Sequence, residues 1–327
     1  MKLEETIIIL PKSKIKAGDG KKEGKYLLYR SSNKIDTYYD EYIIDTEAII
    51  VGTGGNPSIH YNIGKCAYTT QCLVITSKGT LKNKYIYYYL LSQLNRIQNM
   101  FRGMTIKQLD KKEFFKMDIP IIEVDIQDKI IENLDIITNN IQSKKEQVKK
   151  LEQLVKSQFV EMFDNKNYPK IRLKEVLVQD PNVEKIENTR KEKFVTVGIN
   201  GKGARERIIK DEKWPVPFVG YRVKGGQFIY SRIDARNGAF AIIPNYLNNA
   251  VVSKDFPIFD IDYNKIKPDI LLFSLLEESF IDIIKNSSFG ATNRQRIKEG
   301  TFLNYKIYLP PITIQNEFSE IVKQIDK

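Results

Sequence analysis

In 327 residues the sequence has one histidine, His60, one tryptophan, Trp214, and two cysteines, Cys66 and Cys72. That scarcity excludes much chemistry. A structural zinc site wants four ligands, usually from closely spaced cysteines and histidines, and this trio cannot supply them. The two cysteines read as buried thiols in strands, and a single histidine leaves little room for the commonest acid–base catalysis. No Gly-Lys-Ser/Thr follows the glycine-rich residues 52–55, so they form no nucleotide-binding P-loop. Asn56-Pro57-Ser58-Ile59 matches only the first two positions of the Asn/Asp-Pro-Pro-aromatic tetrapeptide of adenine methyltransferases and reads as a turn. Glu23-Gly24-Lys25, near Asp19, is the chain's one Glu-x-Lys tripeptide, and its spacing is too short for a nuclease metal site. Long apolar runs are missing too. No segment approaches a membrane span, and residues 1–10 lack the basic start and long apolar core of a signal peptide, so a cytoplasmic location is expected.

What is present is a long uninterrupted helical period. Ile130, Leu134, Ile137, Ile141, Lys144, Val148, Leu151, Val155, Gln158 and Met162 follow one another at alternating spacings of four and three, with no Pro or Gly between residues 126 and 163. This is a heptad seam, polar only at Lys144 and Gln158. At 1.5 Å per residue the helix would reach roughly 57 Å, more than one small domain needs, and it reads as a spacer rod. Ile314, Phe318, Ile321 and Ile325 repeat the spacing at the end of the chain. At a constant offset of 188, residues 119–135 align with residues 307–323, and Gln127 falls on Gln315. The chain repeats itself.

Charge follows the same plan. The net charge is +11, with +7 in residues 1–121, +7 in residues 167–309, −2 in residues 122–166 and −1 in residues 310–327. Two equally basic globular segments joined by slightly acidic rods suggest two units that bind a polyanion. The expected division is a first globular domain in 1–121, a spacer helix in 122–166, a second globular domain in 167–309 and a shorter helix in 310–327. In each globular segment a basic polar stretch comes first, then short β-rich runs, then a helix, over residues 84–98 in one and 268–285 in the other. The class is α+β, two strand-rich mixed α/β domains in pseudo-repeat joined by coiled-coil helices. The rods match better than the strand-rich parts, as if a scaffold were kept and a reading surface varied.

In their order, these residues resemble the specificity subunit of type I restriction–modification systems. In the first half the likeness rests on Lys14-Ile15-Lys16-Ala17, Tyr29-Arg30-Ser31-Ser32, the run Ile49-Ile50-Val51-Gly52-Thr53-Gly54-Gly55 and Gly64-Lys65-Cys66-Ala67. In the second it rests on Phe228-Ile229-Tyr230-Ser231-Arg232-Ile233-Asp234-Ala235-Arg236-Asn237-Gly238-Ala239, on Val251-Val252-Ser253-Lys254-Asp255-Phe256-Pro257, and on Leu309-Pro310-Pro311 ahead of Gln315. The resemblance implies two target-recognition domains reading the halves of a split, asymmetric site on double-stranded DNA, with the rods as ruler and docking place for methyltransferase subunits. Those subunits would bring S-adenosylmethionine and methylate adenine. A restriction subunit would bring ATP- and Mg-dependent translocation and cleavage in defence against foreign DNA, and this chain would bind no cofactor or metal and catalyse nothing. The family's second rod is as long as its first, whereas this one has about four turns by Lys327, so the partner of the first seam stays open.

Arg forks onto guanine and Asn or Gln onto adenine, while Lys mostly meets phosphate. On that chemistry the candidates in the first half are Lys14, Lys16, Tyr29, Arg30, Ser31, Asn33, Asn56, His60, Arg102 and Lys107. In the second half they are Asn200, Lys202, Arg205, Arg207, Tyr221, Arg222, Arg232, Arg236, Asn293, Arg294 and Arg296. Two rivals remain: a scaffold or inhibitor that engages a modification enzyme without reading DNA, and a stand-alone nuclease or methyltransferase, which the missing motifs disfavour.

Overall fold

The structure, a computed structural model, describes residues 1–105, 107–163, 168–209, 213–287 and 296–325. It divides into two compact units, Met1–Lys145 and Glu146–Lys327.

In the first unit a four-stranded antiparallel sheet forms from β1 (Ile7–Ile9), β2 (Ala48–Gly52), β3 (Ile59–Asn62) and β4 (Cys72–Ser77), in the order β1-β4-β2-β3. The apolar run of β2 is continuous because both faces of the sheet are covered. Ile49 and Val51 pack with Leu73 and Ile75 toward helix α1 (Asn83–Ser92), which buries Tyr85, Ile86 and Leu90. Ala48 and Ile50 point the other way, into a second core with Tyr29, Cys66 and Tyr68. The expected single helix over 84–98 is interrupted at Gln93, beyond which α2 (Leu94–Gln98) follows.

The long helix α3 (Val124–Phe163) runs for 40 residues. Its first turns belong to the first unit, where Ile130 and Ile131 pack on the core, and Lys84 and Tyr88 hold Asp135 at 2.7 Å and 2.5 Å. Burial pushes the Asp135 carboxyl up, but these two hydrogen bonds and the Lys84 charge outweigh it and hold the group below its ordinary value. Lys82 pairs with Asp128.

The second unit repeats the strand order of the first unit's sheet. Strands β5 (Leu177–Gln179), β6 (Phe228–Tyr230), β7 (Phe240–Ile242) and β8 (Ile258–Ile261) form an antiparallel sheet in the order β5-β8-β6-β7, the same order as in the first. Phe228 and Tyr230 face helix α4 (Pro268–Leu276), while Ile229 faces a separate core with Val223, Ala241 and Val252. Here too the expected helix over 268–285 is broken, at the extended residue Glu277, before α5 (Glu278–Ser287).

The last helix, α6 (Ile312–Ile325), buries Phe318 completely against Phe159 and Phe163 of α3 and Phe273 of α4, at ring separations of 5.2–5.4 Å. Of the expected seam residues, Val155 and Phe318 are buried here and Met162 and Ile314 pack against the same core, joined by Phe159 and Phe163 from outside the heptad. The end of α3 buries Val155, Phe159 and Phe163, spaced four and four, whereas Met162 is half-buried and the half-buried Gln158 donates to Glu161. A straight helix turns every 3.6 residues and drifts about 20° per heptad from a 3.5-residue repeat, enough to rotate the buried stripe onto the phenylalanines. Ile314 and Ile321 are half-buried on α6, and the Ile325 side chain lies outside the described part. Leu134 is half-buried, but Ile137, Ile141, Val148 and Leu151 are exposed, as is Lys144.

Candidate nucleic-acid interface

At one end of the first unit's sheet four connections are stitched together around Gly54. Ser31 Oγ donates to Gly54 O at 2.5 Å and accepts from Gly54 N at 3.0 Å. Thr53 donates both its N–H and its hydroxyl to Gln71 O, each at 2.9 Å. Gly55 N donates to Lys107 O and Leu109 N to Thr53 O, both at 2.9 Å, so the turn before Gln108 is pinned to the same ridge. Glycine is demanded at residue 52, where a Cβ would lie 2.2 Å from Ser58 Oγ and 2.6 Å from Ser31 Oγ. Gly55 has φ +77°, a left-handed conformation that costs glycine little.

The sequence candidates divide sharply here. Asn56, Lys107, Arg102, Asn33, Lys14 and Lys16 are exposed. Tyr29 is not: it is 4% exposed, its hydroxyl donates to Asn62, and burial pushes its pKa up to about 12. His60 is 8% exposed beneath it, with Nε2 2.7 Å from Ser32 O, and burial holds its pKa below the ordinary value despite that hydrogen bond. Both rings belong to the core that supports the ridge, and neither is presented to a base. Arg30 is half-buried and paired with Asp36 at 2.8 Å. Arg102, 67% exposed, pairs with Glu113 at 2.9 Å, an exposed contact of little stability that a phosphate can exchange.

In the second unit the hairpin formed by Val195–Val197 and Ala204–Glu206 presents Asn200, Lys202, Arg205 and Arg207 to solvent. Its turn is tied to the β6–β7 connection: Asn200 N donates to Asn237 O at 2.7 Å and Gly201 N to Gly238 O at 2.9 Å. Three of the candidate arginines pair with carboxylates, Arg222 and Arg232 in half-buried contacts and Arg296 in an exposed one of the same kind as that of Arg102. Arg222 makes two bonds to Glu192, at 2.9 Å and 3.0 Å, and one to Glu184 at 2.5 Å, which together raise its pKa and lower that of Glu192. Its fork is occupied. Arg232 pairs with Glu299, and Arg296 with Asp255 at 3.1 Å. Arg236 is half-buried and Tyr221, 5% exposed, is a core residue. Asn293 and Arg294 lie outside the described residues.

A family model, the type I restriction modification DNA specificity domain, matches the chain twice, over residues 1–153 and 165–327. The chain belongs to this family. The twofold match coincides with the twofold topology. Among curated relatives, a Haemophilus influenzae protein named as a putative type I restriction enzyme specificity subunit, S.HindORF215P, is 28% identical over 115 residues, covering 34% of this chain and 29% of that protein. The Escherichia coli type I restriction enzyme EcoDI specificity subunit is 23% identical over 150 residues, 46% of this chain and 33% of that one. The matched stretches thus span about a third of each relative's length. The crystal structure of a type I restriction-modification system S subunit from M. genitalium has the same fold, with a TM-score of 0.61 at 15% identity, over 100% of this chain and 88% of that one. Among the described residues no helix of this specificity-family chain is long and apolar enough to cross a membrane, and no group of His, Cys, Asp or Glu is arranged to hold a metal.

Sequence reasoning missed two residues at the ridge, Gln71 and Gln108. Both are exposed; Gln71 sits in the turn between the strands Lys65–Tyr68 and Cys72–Ser77, and Gln108 opens the short strand Gln108–Leu109 that pairs with Phe101–Arg102. Glutamine forks onto adenine as asparagine does, but neither residue lies in a turn flanked by aromatics, the pattern that marks the other candidates.

Proposed function

We propose that the chain reads a bipartite, asymmetric site on double-stranded DNA, one half-site per unit, and places adenine methyltransferase subunits there, with a restriction subunit where one exists. The chain acts in the cytoplasm by positioning. S-adenosylmethionine, ATP and Mg belong to its partners. The division into recognition domains at 1–121 and 167–309 and spacers at 122–166 and 310–327 is part of this reading.

The observation that carries it is that one sheet order occurs twice with different exposed loops: a glycine ridge with amides in the first unit, an Arg- and Lys-bearing hairpin in the second. A shared sheet order with unlike surfaces suits two unlike half-sites. Lys and Arg contacts to phosphate would supply most of the affinity, and a few groove contacts per half-site the specificity. Selection from a pool of randomised duplexes by the chain with its modification subunit tests it. Enrichment of two short motifs at a fixed spacing is expected, and enrichment of none would overturn the reading.

A further inference from the structure

Resting on that reading, we propose that Gln71 and Gln108 form an adenine-reading pair on the Gly54 ridge. A Cβ at Gly54 would lie 3.1 Å from Gln71 Oε1 and 3.4 Å from Gln108 Nε2, so the two amide ends converge over one glycine. Their backbones are fixed by the ridge. Gln71 O accepts twice from Thr53, and Gln108 forms a β-bridge with Gly54 beside the Leu109 N to Thr53 O bond. Their side chains are uncommitted. Both residues are exposed, and among the described residues neither amide has a hydrogen-bond partner.

Fixed backbones remove the loop-ordering part of the cost of binding and leave the two side chains to be ordered. An amide offers one acceptor and two donors, the set that pairs with N6 and N7 of adenine in the major groove, and a carboxylate or guanidinium could not make that pair. Lys107, exposed next to Gln108, is placed to meet phosphate. Gly54 has no positive φ, so space explains the glycine better than backbone conformation: a methyl group there would push the amides apart.

The test is selection from randomised duplexes by the full chain with its modification subunit, comparing wild type with Gln71→Ala, Gln108→Ala and Gly54→Ala, alongside their melting temperatures. Each glutamine variant should melt like wild type and relax discrimination at an A·T pair of one half-site, by about 5- to 150-fold for a lost bidentate contact. The other half-site should be unchanged. Gly54→Ala should relax the same positions with both glutamines still present. If wild type enriches a motif and the variants enrich the same one, the amide pair is refuted while the wider reading stands. If wild type itself enriches nothing, the wider reading falls and this proposal with it.

Discussion

Gln127 and Gln315, 188 residues apart in sequence, make the same hydrogen bonds in the two units. Each is fully buried. Gln127 Oε1 accepts from Lys82 N at 2.7 Å, and Gln315 Oε1 from Lys267 N at 2.8 Å, so each holds the residue that starts the helix on its sheet. Gln127 Nε2 donates to Ile122 O at 2.9 Å, and Gln315 Nε2 to Pro310 O at 2.8 Å. A further bond runs to Thr80 O in one unit and Lys265 O in the other. One amide thus joins the start of α3 to α1, and its counterpart joins the start of α6 to α4.

Leucine at either position would leave a buried N–H and carbonyl unpaired. Gln127→Leu and Gln315→Leu are each expected to cost about 1–3 kcal/mol. Urea unfolding followed by circular dichroism should show a lowered midpoint for each variant, and wild-type stability would contradict the account.

Phe318 is the apolar counterpart of that amide one turn further along α6. Its replacement by alanine empties the space between Phe159, Phe163 and Phe273 and should cost about 3–5 kcal/mol. Calorimetry should find a lower unfolding temperature, whereas Ile137→Ala, at an exposed position, should change it little.

His60, the sole histidine, gives a clean pH readout. Its folded pKa lies below the unfolded value of about 6.5, because burial disfavours the imidazolium. Stability from this site is therefore full above about pH 6.5 and declines as pH falls toward the folded pKa, since the unfolded chain takes the proton first. The ring's NMR titration should have its midpoint below about 6.5, and His60→Gln should flatten stability across that window. A midpoint at or above 6.5 would contradict the burial argument.

The arginines separate by their partners. Lys107→Ala and Lys202→Ala should each reduce the slope of log affinity against log salt by about 1, as loss of one phosphate contact does. Arg222→Ala should leave that slope intact while destabilising the second unit, because its guanidinium is spent on Glu192 and Glu184. DNA titrations by fluorescence anisotropy at several salt concentrations would distinguish the two.

Much of this was legible in the sequence because it is periodic or local. The repeat survives as Gln127 on Gln315, and the short β-rich runs survive as strands. The arginines were not legible. Whether Arg222 or Arg232 can face DNA depends on Glu192 and Glu299, carboxylates 30 and 67 residues away that only the fold brings near. Phe159 and Phe163 fall outside a 3.5-residue repeat but on the stripe that a 3.6-residue turn carries round from Val155.

The central claim is that one chain reads two different half-sites. Methylation profiling of DNA from cells carrying this chain with its modification subunit, against cells lacking the chain, tests it most directly. A bipartite, asymmetric motif that appears only with the chain is expected. A single continuous or palindromic motif, or methylation indifferent to the chain, would contradict it.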